Sequence, residues 1–429
     1  MLRTFRFCSF FRCHPCLLCF NKSVDPALGC SGPGRRALLC HWSNSIAWVQ
    51  RKLGDVFEQT VEYTNPKDDD VELWSLTVEN GLTPKTERYN REFLVKKEDT
   101  FKAVLPNEFA YNPMNMTLGA VDLNLMKKKV AVSGYYITMR TIENHDNKYF
   151  SAWLKSPKSI RLYKLYATGG LLEKQRVQFP TLSQIEATMP LYEEQATIGN
   201  FFHTLDKTIT LLKRKLDGLK QLKKAYLQQM FPQAGERVPK VRFAGFTGDW
   251  EERKLGELAN FNPRSVLPDV FVYVDLESVV GTSLISSRIE RKETAPSRAQ
   301  RLAQKGDVFF QMVRPYQMNN YLYDLPHKNY VFSTGYAQLR PKIHSYFLLC
   351  KLQEESFVTK VIDRCTGTSY PAINSTDLAE IDIAVAADNH EQTAIGDLFL
   401  ALDNQLSVQQ TKLDNLKQLK SAYLQKMFI

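Results

Sequence analysis

A chain of 429 residues with 44% hydrophobic and 24% charged residues has the composition of an ordinary globular protein and the length of two or three domains. It holds no apolar run of about 18 residues, so no helical membrane span is expected. The net charge of +10 is mildly basic, compatible with a polyanionic partner and insufficient to establish one.

The first 45 residues differ from the rest. Six of the eight cysteines lie there (Cys8, Cys13, Cys16, Cys19, Cys30 and Cys40), and six Lys/Arg against one acid supply half of the net charge. Cys13, Cys16 and Cys19 with His14 and His41 fit no closed tetrahedral zinc pattern. Arg12 and Cys13 interrupt what would be the apolar core of a signal peptide. Residues 1–45 are therefore read as a non-native or disordered extension, such as out-of-frame or mis-started translation. Their peptides in the mass spectrum of the native protein would overturn this. Without them the chain has two cysteines, Cys350 and Cys365, expected to be buried in a reducing, cytoplasmic protein.

From Trp48 the chain runs as two parallel halves. Trp48-Val-Gln-Arg-Lys-Leu-Gly-Asp-Val matches Trp250-Glu-Glu-Arg-Lys-Leu-Gly-Glu-Leu, and its Leu-Gly turn is expected to seat each globular unit against a helix. Leu73–Val78 and Val272–Val279 alternate like strands. Strand-like runs from Phe109 and Phe310 end in Asn112-Pro113 and Arg314-Pro315. Val130–Arg140 pairs with Val331–Arg340. Thr168-Gly169-Gly170 and Thr366-Gly367-Thr368 lead toward the last segment of each half.

That last segment is the strongest signal. Glu194–Phe231 and Glu391–Phe428 are identical at 21 of 38 positions with a constant offset of 197. The chain is an internal duplication. In the first copy Leu205, Ile209, Leu212, Leu216, Leu219, Tyr226 and Met230 recur at spacings of four and three, with Lys223 as the charged interruption. Leu402, Leu406, Gln409, Leu413, Leu416, Lys420, Tyr423 and Met427 occupy the same places in the second. This is the apolar seam of a coiled coil. Pro232 stops the first helix. Each rod is roughly 55 Å long at about 1.5 Å per residue. Matched lengths and seams favour the two rods packing on each other over each folding back on its own globular unit. An antiparallel pair would hold two α/β units at a set distance.

No GxxxxGK[ST] loop, no GxGxxG after a strand and no HExxH pair is present, and the seven histidines are scattered. Tyr111-Asn112-Pro113-Met114 approaches the Asn/Asp-Pro-Pro-aromatic string of amino-methyltransferases. Met114 replaces its second proline, and no glycine-rich cofactor loop precedes it. A nucleic-acid reading fits better. Arg314, Tyr316, Gln317, Asn319 and Asn320 combine a bidentate donor, an aromatic and amides suited to base edges. Asn112, Asn115 and Thr117 hold the corresponding place in the first half, near Lys127, Lys128 and Lys129. Arg288, Arg291 and Lys292 form a second basic cluster. Each alone is an ordinary solvated loop residue, and the lysine run suits phosphate better than bases.

The paired EQ…IG…LD…L..LK.LK.A.LQ.MF helices, WEERKLGEL, GDVFFQMVRPY and STGYAQLRP together resemble the specificity subunit of type I restriction–modification enzymes, from about Trp48 to Ile429. The resemblance implies an α+β fold with target-recognition domains at 46–190 and 250–388. Spacer helices fall at 191–232 and 389–429, with a linker at 233–249, and the helices form an antiparallel coiled coil with a pseudo-twofold repeat. It implies a non-catalytic subunit that reads a bipartite duplex DNA target. That subunit would direct adenine methylation and cleavage by two methyltransferase and two restriction/translocase subunits. No cofactor is expected in this chain; S-adenosylmethionine, ATP and Mg2+ would sit on the partners. The competing expectation is a coiled-coil adaptor with two ligand-binding heads and no DNA specificity.

Overall fold

The computed structural model describes residues 48–66, 68–85, 100–169, 175–233, 235–367 and 369–428. Its contacts divide the chain into Met1–Trp48 and Val49–Ile429, and the elements below belong to the second unit. The expectations for residues 1–45 and for Gly170, Thr368 and Ile429 lie outside the described residues.

Each half begins with a strand that is closed off by the strand just before its long helix. Val49–Lys52 runs antiparallel to Glu186–Met189, and Glu251–Lys254 runs antiparallel to Asp382–Val385. The Leu-Gly turn then packs as expected. Leu53 and Leu255 are fully buried, and their backbone N–H groups donate to Ile185 and Ile381. A Cβ on Gly54 would stand 3.0 Å from the Ser183 side chain, and one on Gly256 3.2 Å from Ala379, so a short helix presses on each turn.

The two heads share one antiparallel sheet. Its order is Phe57–Thr60, Ile137–Thr141, Phe109–Tyr111, Val121–Leu123 in the first head. In the second it is Ala259–Phe261, Tyr336–Pro341, Val308–Gln311, Tyr321–Leu322. The second sheet has diverged. In the second head Val270–Val274 pairs parallel with Tyr330–Ser333; in the first, among the described residues, an isolated parallel bridge, Leu73 to Ala131, stands there. The expected strand Val272–Val279 breaks in the middle. Asp275 caps a 3-10 turn, Leu276–Ser278, accepting from the Glu277 N–H and the Ser278 hydroxyl. Cys350 is buried as expected, whereas Cys365 is only half-buried.

Four helices build the frame. α1 (Asn147–Trp153) packs on α2 (Tyr192–Gln229), and α3 (Ser345–Leu352) packs on α4 (Asn389–Met427). The Ile-Gly pair of each rod explains that packing. A Cβ on Gly199 would lie 2.4 Å from the Tyr149 backbone N, and one on Gly396 2.1 Å from His344 Nδ1 and 3.1 Å from the Phe347 N. Only a glycine lets the start of α1 or α3 approach so closely. The neighbouring Gln195 and Gln392 are buried and donate to the Pro190 and Ala386 carbonyls, tying each rod to the strand before it.

α2 and α4 lie against each other, antiparallel. Lys223 meets Asp403 at 2.6 Å and Lys420 meets Asp206 at 2.5 Å. These are one ion pair repeated, since both members shift by 197. Leu205, Ile209 and Leu413 are buried together, with Leu212, Leu416 and Phe201 packed on them. Leu216 is buried and Leu406 half-buried. The charged interruptions of the seam thus hold its ion pairs. The continuous seam needs one correction, because Leu219 and Leu402 belong to the core of the second head. Each rod packs its first turns on its own head, its middle on the other rod and its end in the opposite head. Phe231 closes α2 against Trp250, Phe347 and Phe399. Phe428 closes α4 against Tyr149 and Phe202. The linker is irregular over 235–249 and is pinned where Arg242 forms a two-pronged ion pair, 2.7 Å on each side, with the fully buried Glu391.

Candidate nucleic-acid interface

The strand Val308–Gln311 is buried along its whole length and feeds directly into the Arg314 loop. Arg314 (φ 54°) and Met318 (φ 54°) are both left-handed and flank a single 3-10 turn, Pro315–Gln317. Left-handed backbone at a side-chain-bearing residue is disfavoured and persists only where the surroundings enforce it. Here they do. Asn320 Oδ1 accepts from the Gln311 N–H at 2.9 Å, and Gln317 Oε1 accepts from Gln311 Nε2 at 2.9 Å. Asn319 Oδ1 accepts from the Gly281 N–H at 2.8 Å, and Gln353 Nε2 donates to the Met318 carbonyl. Asn320 is 1% exposed, so its amide builds the loop. Gln317 and Tyr316 are exposed, and Arg314 and Asn319 are half-buried.

Other segments meet this loop at the same end of the head. Met312 N–H donates to the Gly335 carbonyl, Arg314 N–H to Pro371 and Thr334 N–H to Arg298. The rim therefore gathers Arg298, the Ser333–Tyr336 turn, Arg314, Tyr316 and Tyr370. Sequence reasoning nominated neither Arg298 nor Tyr370, which are distant in sequence and joined only by backbone pairing. Arg301, also not nominated, is half-buried on Ala299–Leu302 with Nε lacking an acceptor, and burial lowers its pKa.

The Arg288 cluster is spread along the edge strand Arg288–Arg291. Arg288 pairs with Tyr273 and Arg291 with Val270, so the two lie at opposite ends of that strand. Arg288 is committed within the protein: it bonds Asp275 at 2.6 Å and Glu290 at 2.8 Å, and it lies 4.7 Å over the Tyr273 ring. Burial alone would raise the Asp275 pKa, yet Arg288 and Ser278 hold the carboxyl below its ordinary value. Arg291 and Lys292 are exposed.

In the first head Asn112 follows the strand Phe109–Tyr111, and its side chain accepts from the Met114 N–H. Asn115 is exposed, while Thr117 is buried in the 3-10 turn Met116–Leu118. Val177 N–H donates to Pro113, the counterpart of the clasp on the Arg314 loop. Lys127–Lys129 precede Val130–Ser133, whereas Tyr111 pairs with Ile137 beyond the far end of that strand. The structure therefore sets the lysine run a strand's length from Asn112. Lys128 bonds Glu72 at 2.7 Å, Lys129 lies 4.0 Å from Glu62, and Lys127 is exposed. Among the described residues no group of His, Cys, Asp and Glu is arranged to hold a metal ion, and no helix is long and apolar enough to cross a membrane.

Comparison with known proteins agrees with this geometry. The HindI type I restriction enzyme specificity subunit of Haemophilus influenzae is 23% identical over 190 residues, a match that spans 42% of this chain and only 41% of that protein. The crystal structure of the type I restriction-modification S subunit from M. genitalium has the same fold, with a TM-score of 0.60 at 17% identity over 90% of this chain and 98% of that one. Residues 46–221 and 247–418, most of both halves, match the type I restriction modification DNA specificity domain. The chain belongs to that family.

Proposed function

We propose that this chain is the sequence-reading subunit of a type I restriction–modification complex in the cytoplasm. Each head reads one half of a split duplex DNA target, and the paired rods set the gap. Partner methyltransferase subunits methylate an adenine in each half, and restriction/translocase subunits cut. S-adenosylmethionine, ATP and Mg2+ belong to those partners. The observation that carries the reading is the duplicated ion pair, Lys223–Asp403 and Lys420–Asp206, which fixes two unlike heads on one antiparallel frame. A rod of roughly 55 Å reaches between major-groove positions one turn, about 34 Å, apart. The frame also leaves Leu211 and Leu222 exposed on α2 and Val408 and Leu419 on α4, two apolar pairs related by the repeat and suited to equivalent partner subunits.

Filter binding of duplex DNA to this chain with its methyltransferase subunit tests the reading. Retention at low salt that falls steeply as salt rises is expected, since Lys/Arg–phosphate contacts release counterions. No retention at low salt would overturn it in favour of an adaptor without DNA specificity.

A further inference from the structure

We propose that Tyr370 is a positioning residue for Arg314, holding its guanidinium ready for a base edge in the half-site read by the second head. This rests on the DNA-reading function proposed above.

The Arg314 guanidinium lies 4.4 Å over the Tyr370 ring. It makes no hydrogen bond or ion pair with a described residue. A cation held by a ring's π face keeps its N–H donors free, and guanidinium donors suit a paired acceptor such as a guanine edge. A solvated arginine without such a hold would sample many rotamers, and ordering it would cost binding free energy.

The stack is built into the backbone. Val313 bridges Ala372, Arg314 N–H donates to Pro371 at 2.8 Å and Ile373 N–H donates to Met312 at 3.1 Å, so the two segments are zipped over three successive residues up to the arginine. Gly367 (φ 87°) bends the second segment back, and a Cβ there would stand 3.2 Å from the Tyr370 carbonyl. Tyr370 is 64% exposed, an aromatic kept in solvent with the arginine on it. The first head has the backbone clasp at Pro113 but asparagine in place of the arginine, so the device acts on one half-site only.

The test is adenine methylation mapping of cells carrying the chain with its methyltransferase subunit. The comparison is between wild type, Arg314→Ala, Tyr370→Leu and Tyr370→Phe. Tyr370→Leu keeps bulk and loses the π face. It is expected to relax the same base pair as Arg314→Ala, lowering discrimination there about two- to fivefold. Tyr370→Phe is expected to retain most of it, and the other half of the motif should not change. A relaxed motif in Arg314→Ala with a wild-type motif in Tyr370→Leu overturns the positioning role and leaves DNA reading intact. A uniform fall in methylation with no change of motif also overturns it, in favour of a phosphate contact. An unchanged motif in Arg314→Ala removes the premise that Arg314 reads a base. Absence of any methylated motif in wild type overturns the DNA reading itself. Co-elution with the methyltransferase subunit and an unchanged melting temperature establish that each variant is folded.

Discussion

Asn320 and Arg314 stand six residues apart and do different work. Asn320 is buried, with its carbonyl oxygen on the Gln311 N–H and its amide nitrogen 3.4 Å from the Leu352 carbonyl. Asn320→Ala leaves those buried groups unpaired, so a stability loss of about 1–3 kcal/mol is expected, read as a fall in melting temperature. A change in DNA preference at unchanged stability would contradict that placement. Asp275 gives a pH test. Its folded-state pKa is depressed below 3.8, so the stability it contributes is complete at neutral pH and is lost as pH falls through the folded value. Asp275→Asn should flatten that part of the acid-unfolding profile, and an identical profile would count against the Arg288 clasp. Residue types suited to DNA were legible in the sequence. Their exposure was not, because Asn320 and Thr117 are buried by contacts that spacing does not encode. Tyr370 was invisible for the complementary reason: its meeting with Arg314 depends on pairing across more than fifty residues.

The long helices were the most legible elements, because a 3.5-residue repeat without proline has few other solutions. Their glycines were not. Gly199→Ala and Gly396→Ala each drive a methyl into the start of a packed helix, so losses of about 1–3 kcal/mol or more are expected. Gly218 lies mid-helix, and a Cβ there would meet nothing within 4 Å outside its own helix backbone, so Gly218→Ala should stabilise the protein by about 0.5–1 kcal/mol. Thermal melts of the three variants check both, and equal effects would contradict the packing described. The duplicated ion pairs should differ in weight. Asp403 is the less exposed acid, 20% against 47% for Asp206, and it also accepts from the Tyr346 hydroxyl. Asp403→Ala is therefore expected to destabilise more than Asp206→Ala, and the reverse order in melting temperature would refute this. Burial, with the charge of Asp403 beside it, raises the Tyr346 pKa.

At the scale of the molecule, the constant offset of 197 in the sequence appears as a pseudo-twofold frame. Each rod ends in the opposite head through Phe231 or Phe428. The repeat made that frame legible, while the divergence of the second sheets was hidden in loops that share only landmarks. Two unlike readers on one fixed frame imply a target in two unlike parts at one separation. The most direct test is single-molecule mapping of methylated adenines in cells that carry this chain with its methyltransferase subunit. The account predicts one motif with two different specified halves and a gap of constant length. An uninterrupted motif, or the same halves at varying gaps, would contradict it.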